Sequence, residues 1–114
     1  MSAPRLATSV LVTALVRKAE AAGGFAAVLA KGDATAGSVI LILTEKGAKT
    51  VAYERALEPD GSYAWAPSAS QDTEDSREVP EFVARRRRFD PDLWVLELDI
   101  PSIERFAAEM TAFG

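Results

Sequence analysis

Arg85-Arg86-Arg87-Arg88 is the densest charge run in this chain, and it leads directly into Phe89-Asp90-Pro91-Asp92-Leu93-Trp94. Guanidinium groups match phosphate and carboxylate with paired N–H donors, so the chemistry open to this run is anion recognition. Successive helical residues point about 100° apart, so four arginines cannot share one face. Arg85 and Arg88 are neighbours at i,i+3, and Arg86 falls beside Phe82 and Val83. The candidate ligand-binding set is therefore Arg85, Arg86 and Arg88, with a phosphate-bearing nucleotide or RNA as ligand. The competing reading is a solvated helix end, its arginines turned to the carbonyl terminus and to Asp90, Asp92 or the acidic loop. A net charge of -4 favours that second reading.

The carboxylates are the next candidates. Asp90 and Asp92, joined by Glu97 or Asp99, could form a magnesium site for hydrolysis. Alternation works against it, because it puts Glu97 and Asp99 on the Leu93 and Val95 side of a strand. Asp-Pro-Asp is also an ordinary corner, in which aspartates bond nearby backbone. Asp72, Glu74, Asp75 and Glu78 lack the glycine and terminal glutamate of an EF-hand loop. Gly32-Asp33-Ala34-Thr35-Ala36-Gly37 is bounded by glycines suited to unusual backbone angles, but it lacks the Lys-Ser/Thr ending of a phosphate-binding loop. It lies between two expected strands, so no helix N-terminus faces an anion there. No metal and no cofactor is expected.

Aromatic residues offer a third chemistry, stacking. Trp94, between Leu93 and Val95, reads as core. Tyr63 and Trp65 lie on one face of an expected edge strand and are the candidate interface residues, for a protein partner or a homodimer.

Composition narrows the classes. The chain has 114 residues, no cysteine and no histidine. Disulfides, zinc-thiolate sites, thiol nucleophiles and every Ser-His or Cys-His arrangement are excluded. Any catalysis would rest on carboxylates, Lys, Arg, Ser, Thr or Tyr, which makes an enzyme the weaker expectation. Residues 1–57 carry seven basic and four acidic groups, whereas residues 58–114 carry six basic and thirteen acidic. The acidic total argues against general nucleic-acid binding. Leu6 to Val16 imitates a signal-peptide core, but Arg17 and Lys18 precede the small-residue Ala19-Glu20-Ala21, and the run is too short to cross a bilayer. It reads as an amphipathic helix in a cytoplasmic protein, with no membrane role.

These residues need elements to position them. The spacing predicts a helix from Thr8 or Ser9, either of which can cap it, to Gly23-Gly24. Strands follow at Phe25 to Lys31, Val39 to Leu43, Thr50 to Leu57 and Tyr63 to Ala66. The Val39 run is continuously apolar, as in a strand covered on both faces. A polar loop spans 67–78. A second helix from about Val79 to Arg88 points Val79, Phe82, Val83 and Phe89 inward. Leu93 to Asp99 is the last strand, and Pro101-Ser102 open a final helix with Ile103, Phe106, Ala107 and Met110 on its apolar face. The expected order is helix, four strands in a meander, helix, strand, helix, with a right-handed crossover from Trp65 to Leu93. The fold class is α+β, a small α/β sandwich: one mixed, mostly antiparallel sheet of about five strands packed by three helices. Residues 1–114 form a single domain.

Two stretches carry a resemblance. Gly32-Asp33-Ala34-Thr35-Ala36-Gly37 before an apolar strand, and Arg88-Phe89-Asp90-Pro91-Asp92-Leu93-Trp94-Val95-Leu96-Glu97, resemble the bacterial domain-of-unknown-function 1491 family. The resemblance covers nearly the whole chain. It implies a short, cytoplasmic, single-domain bacterial protein, and it places no catalytic or cofactor-binding role on any residue.

The residues therefore favour a small non-catalytic binding or protein-interaction domain. The alternative is a phosphate-bearing ligand held by the Arg85–Arg88 run. A metal-dependent hydrolase using Asp90 and Asp92 ranks third.

Overall fold

In the computed structural model, Thr8, Leu11, Val12, Leu15 and Ala19 recur at helical spacing and are buried, while Thr13, Arg17 and Glu20 face outward. They belong to α1 (Thr8–Ala21). The structure describes residues 7–46, 49–57, 59–68 and 79–110. Neither Thr8 nor Ser9 caps α1 with its side chain; the cap position is Ala7. The first amides are met from a distance instead, Thr8 N by the Thr35 carbonyl and Ser9 N by that of Ala34. The buried Thr8 hydroxyl donates to the carbonyl of Gly37 at 3.0 Å. Threonine here ties the helix to a loop, because its oxygen lies in the core where only a long-range partner is available.

Five strands follow: β1 (Phe25–Ala30), β2 (Val39–Glu45), β3 (Lys49–Leu57), β4 (Tyr63–Pro67) and β5 (Trp94–Asp99). α2 (Val79–Phe89) precedes β5 and α3 (Ile103–Met110) follows it. The open sheet has the order β1-β5-β2-β3-β4. β2 and β5 are parallel, and the other three pairings are antiparallel. With three helices on this mixed sheet, the fold is α+β.

The four-strand meander is not what forms. β5 inserts between β1 and β2, and the meander is confined to β2, β3 and β4. The reason lies in burial. Val39 to Leu43 and Leu93 to Leu96 are buried without interruption. Strands apolar on both sides need cover on both faces, so they take the centre. β1, smaller in side chain, is left at the edge.

α1 and α3 cover one face of the sheet. Their core joins Leu11, Leu15, Ile103, Phe106 and Met110 to Val39, Leu41, Leu43, Trp94, Leu96 and Leu98. α2 covers the other, where Val79 and Phe82 meet Ala30, Ile40, Ile42, Ala52, Leu93 and Val95. Phe89 does not face inward as its spacing suggests; it is 85% exposed. It is the last residue of α2, whose buried residues are Val79 and Phe82 in its first turn. α3 starts as expected, with Ser102 Oγ accepting from Arg105 N and Glu45 Oε1 from Ile103 N at 2.7 Å. No helix among the described residues is long and apolar enough to cross a membrane.

Candidate functional site

The arginine run is divided among different tasks by the turn of α2. Arg86 points onto the sheet and forms a bidentate pair with Glu54 of β3, at 2.7 and 3.0 Å. Both side chains are half-buried. The Glu54 hydrogen bond raises the guanidinium above its ordinary range. Arg87 donates to the carbonyls of Pro91 at 2.7 Å and Lys31 at 3.3 Å, pinning the corner after α2 to the end of β1. Arg85 and Arg88 remain exposed, and no described residue pairs with them. The three proposed ligand-binding arginines are thus not brought together, since Arg86 is engaged by Glu54. Nothing in the chain's spacing pointed to Arg87, because its partners are backbone carbonyls remote in sequence.

The aspartates at the corner serve the backbone. Asp90 Oδ1 accepts from Asp92 N at 3.1 Å, and Leu93 N donates to the Asp90 carbonyl. Asp99 lies at the opposite end of β5, where its carboxylate accepts from Lys46 N at 2.7 Å. Among the described residues, no three Asp or Glu side chains come close enough to hold a metal. Asp72, Glu74, Asp75 and Glu78 lie outside the described residues.

The Gly32–Gly37 loop and the Asp-Pro-Asp corner meet. Asp33 N donates to the Asp92 carbonyl at 3.0 Å, and Trp94 Nε1 donates to the Asp33 carbonyl at 2.7 Å. Asp33 Oδ2 accepts from the amides of Thr35 and Ala36. Neither glycine has a positive φ; the only positive-φ glycines among the described residues are Gly23 and Gly61. Their role is close approach. A Cβ on Gly32 would stand 2.0 Å from the Asp92 carbonyl oxygen, and one on Gly37 would stand 2.4 Å from it. This junction also receives the Thr8 hydroxyl, so it joins α1, the loop and β5. Its amides and its carboxylate are taken up internally, which makes it a latch.

A groove of about 450 Å³ separates the C-terminal end of α1 from α3. Ile100 and Phe106 form its floor, with Lys18, Arg105 and Glu109 on its rim. Lys18 meets Glu109 at 2.7 Å and Arg105 meets it at 3.4 Å. Both cations therefore converge on a carboxylate the chain already supplies.

The two sheet edges differ. On β4, Trp65 packs against the α1–α3 core, and the Arg55 guanidinium sits 4.2 Å from the Tyr63 ring centre. Both aromatics are half-buried, and the strand ends at Pro67, which has no N–H to offer. On β1, Phe25 is 76% exposed, and Val28 and Leu29 are also exposed. No residue of β1 is charged. Sequence inspection missed this surface. The available signal was that Phe25 to Ala30 has no polar face at all, although a half-buried edge strand ordinarily alternates.

The comparisons fit this architecture. A family model described as "Protein of unknown function (DUF1491)" matches residues 6–108. A crystal structure of a DUF1491 family protein from Caulobacter crescentus CB15 is 31% identical, with a TM-score of 0.77, covering 89% of this chain and 94% of that one. An NMR structure of a DUF1491 family protein from the same organism is 30% identical, with a TM-score of 0.78 and coverages of 91% and 94%. The solution structure of protein Atu0922 from A. tumefaciens is 29% identical, with a TM-score of 0.74 and coverages of 90% and 92%. Among curated proteins nothing matches.

Proposed function

The chain belongs to the DUF1491 family, and from that premise we propose that it is a single-domain, cytoplasmic protein-interaction module without catalysis of its own. One observation carries the reading: an uncharged strand, β1, lies at the sheet edge among the described residues and exposes Phe25, Val28 and Leu29. Exposed strand edges are ordinarily blunted by lysine, proline or inward charge. β1 has none of these within its six residues. Its one such device is a bulge between Val28 and Ala30. Clustered exposed apolar side chains on a strand edge support a partner contact there. The Tyr63 and Trp65 edge is the weaker of the two, since its aromatics are already half-buried.

Native mass spectrometry of the protein drawn gently from its own cytosol tests the reading. A stoichiometric partner, a second copy included, should be present with the native chain and with Phe89→Asp. It should be absent with Phe25→Asp and with Val28→Lys. A partner that survives both edge substitutions, or no partner at all, would remove the proposal.

Recognition of a phosphate-bearing ligand is the second reading, favoured by the exposure of Arg85 and Arg88 on one side of α2. Titration with nucleotides and RNA at low salt checks it. Binding unaffected by joint replacement of both arginines with alanine sinks it.

A further inference from the structure

We propose that the occupant of the β1 edge is a second copy of this chain, paired antiparallel through β1 about a two-fold axis at Ala27. The inference rests on the interaction reading above and names its partner.

Self-complementarity is the first argument. An antiparallel pairing centred on Ala27 sets Phe25 opposite Leu29, Ala26 opposite Val28, and Ala27 opposite itself. Opposed residues in such a ladder must project from the same face. The β5 register meets that condition for Ala26 and Val28, whereas Leu29 falls in the bulge between Val28 and Ala30, where the regular alternation ends. Phe25 and Ala27 share a face with their β5 partners Asp99 and Glu97, and Ala26 and Val28 share the other with Leu98 and Leu96. The first charge beyond the strand, Lys31, then meets Gly23 and no second cation.

Charge is the second argument. Two copies that each carry a net -4 repel one another over most orientations. β1 contributes no charged side chain to the contact.

Area and closure complete the case. A six-residue ladder by itself falls short of the roughly 800 Å² per partner of a stable interface. α1, however, packs over β1 and β5. With strands about 4.8 Å apart, the two-fold sets the two α1 helices roughly 10 Å from each other, the distance at which helices pack. Helix contact thus enlarges the ladder. The same-edge pairing also closes on itself, whereas joining β1 to β4 would propagate without end. The product is a continuous ten-strand sheet, five strands from each copy.

The absence of cysteine makes the test clean. Across an antiparallel pair the Cα atoms lie about 4.5–5.5 Å apart, within disulfide range. Under mild oxidation of the purified full chain, Ala27→Cys should crosslink to a dimer about tenfold or more faster than Phe89→Cys, reflecting its high effective concentration on the axis. Sedimentation should show a reversible dimer for the native chain and for Phe89→Asp, and a monomer for Phe25→Asp and Val28→Lys. Equal crosslinking rates at Ala27→Cys and Phe89→Cys overturn the pairing, and so does a dimer that persists in both edge variants. A purified chain that stays monomeric at every concentration overturns the second copy as occupant. In that case an edge-dependent partner of different mass from cytosol leaves the interaction reading standing, and the lack of one removes both.

Discussion

Trp94 Nε1 donates to the carbonyl of Asp33 at 2.7 Å, across 61 residues of chain. This bond joins the two stretches that make the sequence recognisable. Around it, Asp33 N returns a bond to the Asp92 carbonyl, and the Thr8 hydroxyl reaches Gly37. The loop, the corner and the start of α1 therefore hold each other.

Trp94→Phe deletes the donor and leaves the Asp33 carbonyl with only the longer bond from Gly37 N at 3.3 Å. The expected loss is about 1–3 kcal/mol, read from the urea midpoint. Gly32→Ala should cost more, because its Cβ would strike the Asp92 carbonyl carried by rigid backbone. Equal stability of the native chain and Gly32→Ala would show that the close approach is not there.

Arg86→Ala should cost about 1–2 kcal/mol, and a double-mutant cycle with Glu54→Gln should recover most of that as coupling. Arg85→Ala, at an exposed position, should stay within about 0.5 kcal/mol of the native chain. Equal effects at the two positions would contradict the division of labour along α2.

Lys18, first through its hydrogen bond and then through its charge, holds the Glu109 carboxyl below its ordinary range, with Arg105 adding to the effect. A depressed folded value means that the contribution is present above the unfolded value, about 4.3, and is lost as pH falls through the folded one. The stability difference between the native chain and Glu109→Gln should therefore be flat near neutrality and shrink in acid. A difference that grows in acid would reverse the assignment.

Phe106→Ala should lose about 3–5 kcal/mol, since the ring is buried between α3 and the sheet. Phe89→Ala should change stability by no more than about 0.5 kcal/mol, although the residue type is the same. Thermal melts of the two variants separate these outcomes.

Much of the architecture was legible along the chain. Helical spacing at Leu11, Leu15 and Ala19, and again at Ile103, Phe106 and Met110, placed α1 and α3 with their buried faces. The unbroken apolar run Val39 to Leu43 announced a central strand. These signals are local: each is a periodicity of side chains within one element, and burial enforces it wherever that element docks.

Tertiary structure decided what adjacency along the chain cannot encode. The insertion of β5 between β1 and β2 depends on a competition among strands for the covered centre, and no single segment states its outcome. Arg86 and Arg87 differ only by the 100° step of a helix, yet one meets Glu54 and the other two carbonyls, because the sheet lies on one side. Gly32 and Gly37 looked like turn glycines and instead make room for a carbonyl far along the chain. Phe89 had a core residue's spacing but, at the end of α2, is exposed. β1, with nothing in its composition to mark an edge, became one because two more apolar strands occupied the interior and left its outer side without a neighbouring strand among the described residues.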